Sequence, residues 1–306
     1  MRQVIGIGET IYDIIFRNGQ PVKAVPGGSA FNAIISLGRA GVKPLFISET
    51  GDDIVGRIIT GFMAENGVSA ENVSIVGGTK SPVSLAFLND KNDAEYVFHK
   101  NHEQDKLGFD FPEIKRDDIV LIGSYYSINP VIRQRFASFL EYCRQKEAIV
   151  YYDVNFRSSH QAERMKLMAN ILENFEYSSV VRGSSDDFGI LFDDSNADTI
   201  FANHVRFYCP RFICTSGAGN IELRTRELSK SYVARPIETV STIGAGDNFN
   251  AGFVFGMLRE GVGTDELQQM TEAKWDRLIA SGQAFASDVC QSLDNYISRE
   301  FADSLR

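Results

Sequence analysis

The chain has no uninterrupted apolar run long enough to span a membrane, because Glu9 and Asp13 already break its apolar opening, "MRQVIGIGETIYDIIF". No small-residue cleavage pattern follows that opening, so it does not read as a secretory leader, and a cytoplasmic protein with no membrane partner is expected. Cysteine is scarce. Cys143, Cys209, Cys214 and Cys290 show neither paired metal-ligand spacing nor Cys-x-x-Cys, and they read as buried or half-buried thiols. Dense Lys/Arg runs are missing and the formal net charge is −9, which excludes nucleic acid as the expected partner. A P-loop pattern is absent, and Gly6 and Gly8 lack the third glycine of a dinucleotide fingerprint. With no repeat and no Pro/Ser linker, residues 1–306 read as one domain.

What is present alternates. "QVIGIG" (3–8), "PLFISE" (44–49), "DIVLIGS" (118–124), "AIVYYDV" (148–154), "SSVVRG" (178–183) and "RFICTS" (211–216) are continuous apolar runs, the mark of strands covered on both faces. Amphipathic stretches lie between them. In 29–41, Ser29 is a candidate N-cap and Gly41 stands just past the end; 129–146 places Phe136, Phe139, Leu140 and Cys143 at helical spacing. This rhythm predicts a doubly wound α/β fold with a mostly parallel sheet. Two pieces break it: 10–26, ending in "VPGG", and 81–100, where two strand patterns flank the polar turn "NDKND". Together they predict a small sheet beside the core, either a lid or an ordinary edge hairpin.

Two Gly-Ala-Gly stretches stand out. "TSGAGN" (215–220) ends a strand pattern. "STIGAGDNF" (241–249) follows the extended-looking "SYVARPIETV" and opens a helical one. At such a junction Gly244, Ala245 and Gly246 let backbone N–H groups approach an anion, and the helix start adds partial positive charge. Asp247 falls in the first helical turn. It reads either as a plain N-terminal cap or as the acceptor of a proton from an attacking hydroxyl, a task phosphoryl transfer makes undemanding. "HKNH" (99–102) reads as a hairpin end and "GDD" (51–53) as a turn into a helix rather than as metal sites.

In this order, "GETIYD", "PGGSAFNAIISLGRAG", "GDDIVG", "DVNFR" and "STIGAGDNFNAGF" resemble the ribokinase-like (PfkB) family of carbohydrate kinases over essentially the whole chain. The resemblance implies a three-layer α/β/α fold with a small β-sheet lid, and ATP-dependent phosphorylation of a sugar hydroxymethyl group with Mg²⁺. It places sugar hydroxyls at Asp13, Gly27, Gly28 and Asn32, and the catalytic base at Asp247 beside the anion hole 244–246. It places the nucleotide at Asn155, Arg157, Thr215 and Gly217, with a structural salt bridge as the other reading of Arg157. Dimers through the lid are implied as well.

Three departures are visible. Ser241 stands where the family has an acid that helps hold a monovalent cation. The family's Asn-x-x-Glu appears as Gly183-Ser184-Ser185-Asp186, leaving Asp186 to meet the metal through water, and Arg182 adds a charge. The acidic chain and compact lid point to a free sugar, fructose or a similar ketose. Lys23, Lys100 and Lys106 would serve a phosphosugar; a nucleoside kinase and a non-catalytic sugar-binding regulator are the other readings.

Overall fold

A computed structural model describes residues 2–89, 94–99, 108 and 110–306. The chain opens with strands β1 (Val4–Ile7), β2 (Ile11–Arg17) and β3 (Gln20–Gly27), helix α1 (Ser29–Arg39), strand β4 (Leu45–Gly51) and helix α2 (Ile54–Glu65). Strands β5 (Val73–Val76), β6 (Val83–Leu88), β7 (Ala94–His99) and β8 (Ile119–Gly123) follow, then helices α3 (Ser124–Ile128) and α4 (Arg133–Gln145). Next come β9 (Ile149–Asp153), α5 (Arg164–Tyr177), β10 (Val180–Ser184), α6 (Ser185–Phe192), α7 (Ala197–Ile200) and β11 (Arg211–Thr215). Strands β12 (Asn220–Thr225) and β13 (Ser229–Val233) precede helices α8 (Ala245–Arg259), α9 (Thr264–Gln268), α10 (Glu272–Val289) and α11 (Arg299–Ser304).

Internal contacts divide the chain into two compact units. One comprises Met1–Arg2, Glu113–Pro236 and Gly261–Trp275; the other comprises Gln3–Pro112, Ile237–Glu260 and Asp276–Arg306. In the first unit β8, β9, β10 and β11 run parallel, and β12 and β13 continue antiparallel from β11. β8 and β9 are buried at every position, as their unbroken apolar runs require. Register sets the strand ends in a row: Gly123 pairs with Asp153, Asp153 with Arg182, and Ser184 with Thr215. In parallel α/β sheets, the carboxyl ends of the strands are where ligands bind.

In the second unit β1, β4 and β5 are parallel, and β3-β2-β6-β7 form a separate small sheet. The interruptions at 10–26 and 81–100 thus belong to one sheet, joined by the parallel pairing of β2 with β6. Of the expected turn "NDKND" (89–93), residues 90–93 lie outside the described residues, as do "KNH" at 100–102 and Lys100 and Lys106. Strand β2 alternates between buried and half-buried positions, and Asp13 shares the buried face with Ile11 and Ile15. Helix α1 packs on α8, and α8 on α10 closely enough that a Cβ on Gly252 would stand 2.4 Å from the carbonyl of Ser281.

Two local expectations change and a third holds. Gly28, not Ser29, is the N-cap of α1, at φ 118°, because a Cβ there would lie 2.3 Å from the Glu9 carbonyl. Strand structure in "SYVARPIETV" stops at Val233, ahead of Pro236, which has no N–H to give to a ladder. At "GDD", Asp53 caps α2 by accepting from Gly56 N–H at 2.9 Å and also holds Ser81, as the turn reading requires. All four cysteines are buried and free, and no described helix is long and apolar enough to cross a membrane.

Candidate active site

Asp247 occupies the third position of α8 and is buried. Two side chains from one face of α1, three residues apart, converge on it. Ser29 donates its hydroxyl to Oδ1 at 2.7 Å, and Asn32 donates Nδ2 to Oδ2 at 2.8 Å. Ser29 can do this because Gly28 has taken the capping position. The turn before α8 depends on Gly244, which sits at φ 76° with its Cα so near the Asn295 carbonyl that a Cβ would be 2.8 Å from it. Asn248 fixes that contact by donating Nδ2 to the carbonyls of Gly244 and Asn295, each at 2.8 Å. The Ala245 amide closes the turn on Thr242 O at 3.2 Å, and Gly246 follows at the positive end of the α8 dipole.

A second acid lies in the same unit. Asp13 accepts from the Ser84 hydroxyl at Oδ1 and from Asn295 Nδ2 at Oδ2, the latter at 3.0 Å. Gly27 admits it: any Cβ there would sit 2.1 Å from Asp13 Oδ2. Burial pushes the Asp13 carboxyl up to about 6, with Asp247 and Glu9 adding to the rise, while the hydrogen bonds from Ser84 and Asn295 oppose it. Asp13 and Asp247 therefore feel each other's charge. The chain segment after α10 anchors this corner through three consecutive side chains: Asp294 pairs with Lys23 at 2.6 Å, Asn295 bonds Asp13, and the Tyr296 hydroxyl donates to Pro26 O at 3.0 Å. Lys23 is thereby engaged. Ser241 is also committed, its hydroxyl accepting from Ile243 N–H at 3.2 Å, while the Cys290 carbonyl accepts from the amides of both Val240 and Ser241.

The remaining expected residues gather in the first unit, at its row of strand ends. Thr215 closes β11, and its hydroxyl accepts from Arg182 Nη2 at 2.6 Å. Arg182 Nη1 donates to Asp153 at 2.9 Å, so the charge that was unexplained in the sequence ties β9, β10 and β11 together. Burial penalises that guanidinium, but Asp153, helped by Tyr151 and Asp187, outweighs burial and moves its pKa up. Asn155 follows β9 at φ 38°, largely buried; Gly217 sits at φ 50° with open space around it. Arg157 is exposed, and among the described residues no ion pair holds it. Asp186 is exposed in the first turn of α6. The buried acid there is Asp187, in a capping box with Ser184, and burial followed by Asp153 raises its pKa. A side chain at Gly183 is impossible without movement, since a Cβ would meet the Phe188 ring at 2.6 Å.

Ser29, Ser84 and Asn295 were missed as site residues. Ser29 and Asn32 at i, i+3 did carry a signal, as did an acid on the buried face of β2 that demands donors. For Asn295, 282 residues from Asp13, nothing local in "SLDNY" gave one.

Residues 1–300 match the family described as pfkB family carbohydrate kinase. A probable fructokinase-4 of Arabidopsis thaliana is 24% identical over 233 residues, 73% of this chain and 70% of the relative. Among solved structures, the fructokinase of Vibrio cholerae O395, with fructose, ADP and calcium bound, superposes with a TM-score of 0.86 at 16% identity, covering 100% of this chain and 99% of that one. Aminoimidazole riboside kinase from Salmonella enterica, complexed with aminoimidazole riboside and an ATP analog, gives 0.83 at 21%, covering 99% and 98%. The expected ribokinase-like α/β fold with a smaller separate sheet is borne out.

Proposed function

Because the chain belongs to the pfkB family of carbohydrate kinases, phosphotransferases with an alcohol group as acceptor, we propose that it transfers the γ-phosphate of ATP to a hydroxymethyl group of a free sugar, fructose or a similar ketose. The observation that carries this reading is Asp247, buried at the start of α8 and held on both oxygens by Ser29 and Asn32, within the electrostatic reach of Asp13.

Asp13 and Asn32 orient the sugar by accepting its hydroxyls. The acceptor oxygen attacks the γ-phosphorus, its O–H proton passes to Asp247, and the bond from the γ-phosphorus to the bridging oxygen breaks to release ADP. The α8 N-terminus at 244–246 receives the developing charge on the phosphoryl oxygens. Asn155, Arg157, Thr215 and Gly217 serve the nucleotide, the open space at Gly217 suiting close approach of a ligand. Asp186, exposed in the first turn of α6, is the carboxylate that would meet Mg²⁺ through water. Magnesium supplies charge neutralisation at the phosphates. The Ser241 hydroxyl and the Cys290 carbonyl are already bonded, so that corner fits a monovalent cation poorly.

Of the lysines that would serve a phosphosugar, Lys23 is paired with Asp294. On this reading the chain acts as one cytoplasmic catalytic domain with β3-β2-β6-β7 as its lid. The exposed Phe87 and Val97, on one face of that sheet, support a homodimer through it. The deciding experiment is ADP formation over a panel of ketoses, aldoses, phosphosugars and nucleosides with Mg²⁺. One strongly preferred free ketose confirms the reading; binding without ADP release assigns a regulator instead.

A further inference from the structure

Two buried amide side chains in the acceptor corner repeat one arrangement. Asn32 turns its NH₂ to Asp247, and Asn295 turns its NH₂ to Asp13. Neither choice is free. An ionised carboxylate can only accept, so the amide facing it must present its donor end and leave its carbonyl oxygen pointing elsewhere. In both residues that carbonyl oxygen, Oδ1, is buried and has no hydrogen-bond partner among the described residues, on side chains only 5% and 0% exposed. Buried acceptors of this kind are rare in folded proteins, because desolvating them costs free energy that nothing returns until a donor arrives.

Asn295 is also held in place by its neighbours. Its neighbours Asp294 and Tyr296 bond Lys23 and Pro26, and its own carbonyl receives Asn248 while abutting Gly244. The result is a rigid acceptor beside Asp13, at the junction between the strand that carries that acid and the turn that opens α8. Flexible Lys or Arg side chains would read charge at such a place; a fixed neutral carbonyl reads a hydroxyl.

We propose that Asn295 is a further acceptor-binding residue whose Oδ1 takes a hydroxyl of the sugar, next to the one that donates to Asp13. The ligand class is a polyol with hydroxyls on two adjacent carbons, one for Asp13 Oδ2 and its neighbour for Asn295 Oδ1. This rests on the kinase reading above and sharpens it: the enzyme selects a vicinal diol at this corner rather than a single hydroxyl.

The test pairs the wild type and Asn295→Ala with the preferred sugar and its series of single-deoxy analogues. Alanine removes both the Oδ1 acceptor and the amide that donates to Asp13, so KM for the parent sugar is expected to rise about 10-fold or more. For one deoxy analogue, the ratio of variant to wild-type KM should then be clearly smaller than for the parent sugar. Equal losses on every analogue would mean a purely structural role and overturn the inference while leaving the kinase reading intact. If the wild type phosphorylates no sugar, the kinase reading falls and the inference with it. Should Asn295→Ala fail to fold, a structure of the wild type with its sugar decides: a hydroxyl within hydrogen-bond distance of Asn295 Oδ1 supports the proposal, and a water or no atom there refutes it.

Discussion

Asn32 Nδ2 and Asp247 Oδ2 lie 2.8 Å apart although 215 residues separate them, and Ser29 reaches the other oxygen of the same carboxylate. One turn of α1 therefore sets the orientation of a group on α8. A carboxylate so held keeps its direction when a substrate hydroxyl approaches, and orientation is most of what phosphoryl transfer asks of its base.

On the proposed reading, Asp247→Asn removes the proton acceptor while preserving shape. We expect kcat to fall by roughly 10²- to 10⁴-fold, with nucleotide affinity changed little, in steady-state kinetics and a nucleotide titration. A fully active variant would refute the assignment.

Ser29→Ala releases one oxygen of Asp247 without touching the acceptor sugar. kcat should drop by about tenfold with KM for the sugar unchanged, and Ser29→Thr, which keeps a hydroxyl, should recover most of the rate. Loss confined to KM would show that Ser29 acts on the sugar instead.

Asp13 couples stability to pH. Its carboxyl rises from 3.8 to about 6 in the folded protein, so between those values the folded state holds a proton the unfolded state has released. Stability must then fall as pH rises through that window, and at neutral pH the buried charge costs roughly 3 kcal/mol. Asp13→Asn should accordingly raise thermal stability at pH 7 by about 1–3 kcal/mol while weakening sugar binding. In the wild type, KM for the sugar should rise as pH drops below about 6.

Replacing potassium by a bulky organic cation should alter the rate by less than about twofold, under 0.5 kcal/mol of barrier. The commitments of Ser241 and Cys290 to backbone amides are the reason. A large potassium activation in initial-rate assays would show that these bonds rearrange.

Gly183→Ala forces a methyl against the Phe188 ring, and we expect a loss of about 1–3 kcal/mol by overpacking, read as a lowered midpoint in denaturant or heat. An unchanged midpoint would mean that Phe188 moves freely.

The sequence reading succeeded where structure follows from unbroken local pattern. The apolar run at 118–124 became β8 and that at 148–154 became β9, because burial on both faces leaves a continuous signature. The helix after Gly246 and the two pieces of the small sheet were legible for similar reasons. Ser29 was misread as a cap because sequence spacing cannot reveal that the Glu9 carbonyl leaves room only for glycine at position 28. Asn295 was invisible because its meaning lies in Asp13, a partner from the other end of the chain. Arg182 was noticed but could be explained only once strand register put Asp153 and Thr215 on either side of it.

The tie between Asn295 and Asp13 also bears on how the protein is made. The unit that carries both acids is assembled from three separated stretches, and its last stretch is Asp276–Arg306. A ribosome adds about 5–20 residues per second from the N-terminus, so the residues of β2 wait many seconds for the segment that completes their corner. Until then Asp13 lacks its amide donor and the turn at Gly244 lacks the carbonyl it leans on. On the proposed reading, a nascent chain therefore binds sugar in the finished geometry only once the C-terminal stretch has been synthesised and has folded back.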